Sequence, residues 1–125
     1  MALIRNIHEE TMNEVNMPGV SGAKMAIMVG REDKAPNFAL RSFEVVAGGH
    51  TPKHSHDYEH EVYVVSGNGQ VLLEGKMHDI REGDVLYVPA NEEHQFTVDA
   101  DSGESLRFLC VVPVEQNCGG PVPGS

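Results

Sequence analysis

The sequence is poor in cysteine and in basic side chains, and it has no apolar run long enough to cross a bilayer. Each shortage excludes something. Its two cysteines, Cys110 and Cys118, are too few for a disulfide framework. Cys110 lies in an apolar run and reads as a reduced core residue, whereas Cys118 sits in a Gly- and Pro-rich tail. Nine Lys and Arg against 19 Asp and Glu give a formal charge of −10. A surface that negative is repelled by nucleic acid and by anionic lipid, which excludes both as main partners. Residues 1–10 (MALIRNIHEE) are too broken by polar side chains for the apolar part of a signal peptide, so a cytoplasmic location is expected. No stretch keeps a helical period over three turns.

What is present fits one globular domain: 125 residues, 40% hydrophobic and 22% charged. Short apolar or alternating segments recur between turn residues. A strand is expected near Ala2 to Ile7, then an arm through the turn at Met17-Pro18-Gly19-Val20. Further strands are expected at 25–29, 38–46, 61–65, 70–74, 77–80, 85–88, 95–98 and 106–112, with Gly48-Gly49 ending the second of these and Gly67-Asn68-Gly69 forming a turn. This pattern predicts an all-β sandwich or barrel. The expected organisation is an N-terminal arm over 1–24, a barrel over 25–113 and a flexible tail over 114–125.

Histidine is unevenly spread. Four of the seven lie between Gly48 and Glu61, with His54 and His56 two residues apart. In an extended chain that spacing puts both rings on one side, close enough to share an ion, and neutral imidazole is the commonest protein metal ligand. A second segment runs from Gly83 to His94. Gly83 permits a tight turn, Pro89 ends a strand, Asn91 tolerates a left-handed turn, and His94 opens the next strand.

Together these segments resemble the two motifs of a small single-domain cupin. That family's first motif is Gly, five residues, His, one residue, His, three or four residues, Glu, six residues, Gly. Gly48, His54 and His56 match it. The second is Gly, five residues, Pro, one residue, Gly, two residues, His. Gly83, Pro89 and His94 match, with Asn91 in place of the middle Gly. The resemblance covers roughly residues 25–113 and implies a double-stranded β-helix, or jelly roll.

At the usual Glu position the sequence departs. Both spacings, back to His56 and on to Gly67, are kept only with His60 there, while Glu61 fits the looser spacing alone. The resemblance therefore implies a four-histidine metal site of His54, His56, His60 and His94, as in a cupin subgroup. Glu59 and Glu61 would point away and support the ligand rings as hydrogen-bond partners. His8, His50 and His78 lack such a frame and read as surface residues, His50 alone being near enough to reach a pocket mouth. Phe108, Cys110 and Val112 share one face of a strand that lines the cavity in similar cupins. Arg41, in step with Phe43 and Val45, is a candidate to hold a substrate carboxylate or enolate, or to pair with a surface acid. Tyr58 and Tyr63 read as packing residues.

Four neutral imidazoles would leave a divalent ion its full charge and, on an octahedral ion, two adjacent free positions. That suits a bidentate enolisable substrate, or a substrate with dioxygen. Mn, Fe or Ni is favoured, with Zn or Cu also compatible. The expected function is a metal-dependent enzyme acting on a small enolisable or oxygenated metabolite by dioxygenase-type cleavage or oxidation. Metal-dependent isomerase or lyase chemistry is the alternative, and a non-catalytic ligand-binding barrel is the rival from another class. The resemblance also implies a homodimer, with the N-terminal arm added to a partner's sheet.

Overall fold

The computed structural model describes residues 2–116, and nine strands fall among them. They are β1 (Asn13–Glu14), β2 (Ser21–Val29), β3 (Phe38–His50), β4 (His60–Ser66), β5 (Asn68–Leu73), β6 (Lys76–Arg81), β7 (Val85–Val88), β8 (Gln95–Thr97) and β9 (Leu106–Pro113). The helical pieces among the described residues are two 3-10 turns, Arg31–Asp33 and Val114–Gln116. Cys118 and most of the expected tail lie outside the described residues. Among the described residues no helix is long and apolar enough to cross a membrane.

Alternation along the strands builds the interior. On β9, Leu106, Phe108, Cys110 and Val112 are buried and their neighbours less so. On β4, His60, Val62 and Val64 point inward while Glu61 and Tyr63 point out. Tyr63 is 46% exposed and so is not the packing residue expected. It shares the outer face with Val85, its partner across β7. Side chains alternate in this way because successive residues of a pleated strand face opposite sides.

The antiparallel strands run in the order β6-β5-β8-β3-β9-β4-β7, with β2 also pairing β3. The first part of β3 pairs β9 from Phe38 to Val45, and its far end pairs β8 through His50 and Thr97. One strand thus belongs to both halves of a curled sheet, which closes as the double-stranded β-helix of a cupin jelly roll. Phe108 lies between Phe43 and Phe96 in the space enclosed, at centroid distances of 5.2 and 4.3 Å.

Two glycine segments behave differently from expectation. Gly48-Gly49 does not end β3. Gly48 has φ +81°, facing a register shift between Ser21 and Ala23 on β2, where Gly22 has φ +67°. The pair forms a bulge, a device that bends a strand without stopping it, and β3 continues to His50. At Gly67 the chain does not turn back to pair with itself. β4 pairs β7 and β9, whereas β5 pairs β6 and β8, so Gly67 (φ +79°) carries the chain from one half of the sheet to the other.

No strand forms at Ala2 to Ile7. Arg5 instead ties this segment down, donating to the Met28 carbonyl at 2.6 Å and to both oxygens of Asp33 at 2.8 and 2.9 Å. A cleft of about 620 Å³ beside it, lined by Arg5, Glu10, Asn13, Met25, Ile27 and Asp33 among others, includes none of the histidines.

Candidate metal centre

Two backbone contacts join the segments that carry the histidines. His54 and His94 form an antiparallel bridge, with N–H to O distances of 3.1 and 2.9 Å. The Asn91 amide donates to the His56 carbonyl at 2.6 Å from a left-handed residue (φ +68°). Asn91 therefore supplies the turn that the family's glycine would. His60 enters from the first position of β4, opposite Val88.

The ligand atoms of His54, His56 and His94 lie within 4.8 Å of one another. His60 stands against this trio. Its Nε2 is 3.2 Å from that of His94, and its ring centroid is 4.8 Å from His94 and 5.1 Å from His56. His60 and His94 are fully buried, and His54 and His56 partly so. His50 is half-buried with Nδ1 at the Thr51 carbonyl, whereas His8 and His78 are exposed.

Hydrogen bonds at Nδ1 decide what the other ring nitrogen can do. A carbonyl only accepts, so Nδ1 of His56 donates to the Tyr58 carbonyl at 2.8 Å, and Nδ1 of His94 to the Glu92 carbonyl at 2.8 Å. In the neutral form of either ring Nε2 then carries a lone pair. Nε2 of His56 is buried with no hydrogen-bond partner. A lone pair so placed is costly unless something electropositive meets it. His60 Nε2 meets His94 Nε2 at 3.2 Å, a hydrogen-bond distance, and the cluster that could share an ion has three histidines rather than the expected four. His54, His56 and His94 fit a divalent cation.

Electrostatics point the same way. Burial, aided by neighbouring imidazoles and by Arg41, lowers His60 to about 2 and His56 to about 4, so both stay neutral at ordinary pH. Neutral imidazole is the form that ligates.

The surrounding contacts correct one expectation and add others. Glu59 and Glu61 are exposed and hydrogen-bond each other, which raises the Glu61 carboxyl to about 7; neither provides the Nδ1 contacts described. His60 Nδ1 meets Cys110 Sγ at 2.9 Å, and Arg41 donates to the same sulfur at 3.1 Å. Arg41 is fully buried and lies 5.0 Å from the Phe43 ring centroid. Tyr58 stacks on His56 at 3.9 Å, nearly parallel, and its buried hydroxyl has no hydrogen-bond partner. Phe108 and Val112 face inward beside Cys110. The sequence offered no sign of the Tyr58 stack, since an isolated tyrosine in a polar loop has no periodic partner.

Comparison with known proteins agrees with this geometry. Residues 41–112 match the cupin domain family model Cupin_2. The chain is 35% identical over 78 residues to 1-methylthio-D-xylulose 5-phosphate methylsulfurylase of Rhodospirillum rubrum, covering 62% of this chain and 49% of that protein. It is also 35% identical over 63 residues to the transcriptional activator RhaS of Mannheimia succiniciproducens, covering 50% of this chain and 21% of that one. The chain thus spans half or less of these curated relatives. Among solved structures, the polyketide cyclase RemF of Streptomyces resistomycificus superposes with a TM-score of 0.85 at 30% identity, covering 91% of this chain and 80% of that one. Since the family match takes in more than half of the chain, and both segments that meet at the histidines, the chain belongs to the cupin domain family.

Proposed function

We propose that this cupin is a divalent-metal enzyme acting on a small enolisable or oxygenated metabolite, with His54, His56, His60 and His94 as the four ligands and one ion per chain. The observation that carries the reading is the buried, unpartnered Nε2 of His56 among converging neutral imidazoles. Mn, Fe or Ni suits such a set best, and Zn or Cu is compatible with it. When bound, the ion supplies Lewis acidity for an anionic substrate oxygen.

The chain's own residues bind and orient. Burial keeps the His56 and His60 imidazoles neutral and therefore able to ligate. The Arg41 guanidinium, a fixed cation in the interior, and the Tyr58 hydroxyl, an unused donor, suit a carboxylate or enolate oxygen. Phe108, Cys110 and Val112 form apolar wall on the β9 side. For the reaction we propose dioxygenase-type cleavage or oxidation, or isomerase or lyase chemistry without dioxygen. Similarity to a polyketide cyclase favours the second route. Partial similarity to a transcriptional activator keeps a non-catalytic ligand-binding role as the rival. We further propose a cytoplasmic homodimer with residues 1–24 at its interface.

The test is a mass-spectrometric screen of β-dicarbonyl and hydroxy-ketone compounds with the Mn-, Fe- or Ni-loaded chain, with and without dioxygen. Turnover is expected in the loaded protein and not in the chelated protein or in His94→Ala. An isomeric product formed without dioxygen selects the isomerase route, and incorporation of dioxygen selects the oxidative one. Equal turnover by His94→Ala and the parent would overturn the metal-dependent reading.

A further inference from the structure

The outer face of the sheet is strapped at one end and bare at the other. The N-terminal arm makes the strap. Arg5 holds it to the Met28 carbonyl and to Asp33, and Asn13–Glu14 pairs with β2. Between these ties, Arg107 on β9 donates to Met12 Sδ at 2.9 Å and meets His8 Nδ1 at 3.0 Å. The arm is thereby fastened across the sheet from β2 to β9. Further along, Leu109, Tyr63 and Val85 stand in one row across β9, β4 and β7, with Val111, Glu61 and Tyr87 in the next. Leu109 and Val111 are half-buried, whereas Tyr63, Val85 and Tyr87 are 46%, 75% and 57% exposed. Among the described residues β7 ends the strand order. A contiguous apolar face on an edge strand marks an interaction surface.

The same chain presents an apolar tip. Ile4 is 99% exposed and Leu3 39%. This tip cannot serve the bare face of its own chain. Arg5 fixes it at β2, and β7 lies beyond β3, β9 and β4, roughly 19 Å away at about 4.8 Å per strand. Ile4 is the residue next to Arg5, only about 3.8 Å along the chain.

Charge selects what the face would receive. Stacking two bare faces would bring together their Glu61 carboxylates, each hydrogen-bonded to Glu59, in a chain of net charge −10. Residues 2–8 contain no acid and include Arg5. The tip complements the face where a second face would repel it.

We propose that the outer face of Tyr63, Val85 and Tyr87 receives Leu3 and Ile4 of a second copy of this chain. The exchange is mutual and gives a two-fold symmetric dimer. The inference rests on the homodimer reading above and adds the receiving surface. Side chains on a sheet face make the contact, which does not require the arm to pair as a strand.

The first test is sedimentation velocity of the untagged full-length protein over a concentration series reaching the high micromolar range. The parent is expected to be dimeric at the upper end. Ile4→Asp and, separately, Val85→Lys are expected to raise the dimer dissociation constant by about 1,000-fold, since a central interface side chain is worth about 30-fold and symmetry counts it twice. Val85→Ile keeps an apolar side chain and is expected to keep the parent's constant. Both positions are exposed in the single chain, so the variants are expected to retain the parent's circular dichroism. The second test locates the contact. In a Cys118→Ser background with oxidised glutathione, a mixture of Ile4→Cys and Val85→Cys chains is expected to form the mixed disulfide in preference to either symmetric one.

The failures are distinguishable. A parent that stays monomeric throughout the series overturns the homodimer reading and this proposal with it. A dimer that either Ile4→Asp or Val85→Lys leaves intact keeps the homodimer but places its interface elsewhere, and the proposal is wrong. Val85→Cys chains that crosslink to one another in preference would show two faces packed together and overturn the role of the arm. None of these outcomes bears on the metal site.

Discussion

Single side chains here divide into those that hold the interior together and those that strain it for a purpose. Phe108 belongs to the first kind. It is fully buried between Phe43 and Phe96, which come from β3 and β8 on either side of the enclosed space. Phe108→Ala is expected to cost about 3–5 kcal/mol in urea unfolding, since transfer and cavity terms add. Tyr58 belongs to the second. Its hydroxyl is buried without a partner, which is unfavourable in a protein lacking its ligand. Tyr58→Phe should therefore leave the ligand-free protein as stable or stabilise it by about 1 kcal/mol, as read by the same unfolding curves. A loss of more than that would mean the hydroxyl is satisfied. His54 and His56 were legible as a pair from their two-residue spacing, and His94 through the resemblance of its segment to the second cupin motif. Cys110 was legible as an inward-facing residue by strand alternation. Its contacts with His60 and Arg41 were not, because they depend on which strands lie side by side across the barrel.

The elements were largely readable from β-branched runs between turn residues, and eight of the expected strands recur within a few residues of their places. What failed was the meaning of particular glycines. Gly48-Gly49 looked like a stop and is a bend, and Gly67 looked like a hairpin turn and is a crossing between halves of the sheet. Glycine reports an unusual backbone angle but not what the chain does afterwards. The distinction is measurable. A Cβ at Gly67 would run into the Ser105 carbonyl, in addition to needing φ +79°. At Gly75 the angle is similar, φ +72°, but no atom lies within 4 Å. Gly75→Ala is expected to cost about 1–2 kcal/mol from the left-handed backbone alone, and Gly67→Ala clearly more, in parallel denaturation curves. Equal costs would show that Gly67 is needed only for its angle.

At the scale of the whole molecule, folding is coupled to acid. His60 and His56 have folded-state values of about 2 and 4, below the ordinary 6.5, chiefly through burial. Between those values and 6.5 the unfolded chain binds protons that the folded chain does not. Stability of the metal-free protein is therefore full above about pH 6.5 and falls on acidification. The slope is at most about 1.4 kcal/mol per pH unit for His60 and less for the more exposed His56. Urea midpoints at pH 7.5 and pH 5 check this, and a flat profile would contradict it. An ion bound as proposed would act in the opposite sense, stabilising by about 2.7 kcal/mol at a free concentration 100 times Kd.

The central claim is that residues from two distant segments converge to hold one cation. Its most direct test is metal analysis of untagged protein, followed by calorimetric titration of the chelated protein with zinc. The account predicts one ion per chain, removable by chelation and restored by titration. It also predicts loss of binding in His56→Ala and His94→Ala, with metal-free unfolding still cooperative. Protein that carries no metal and takes up none, or that binds zinc equally well after either substitution, would contradict it.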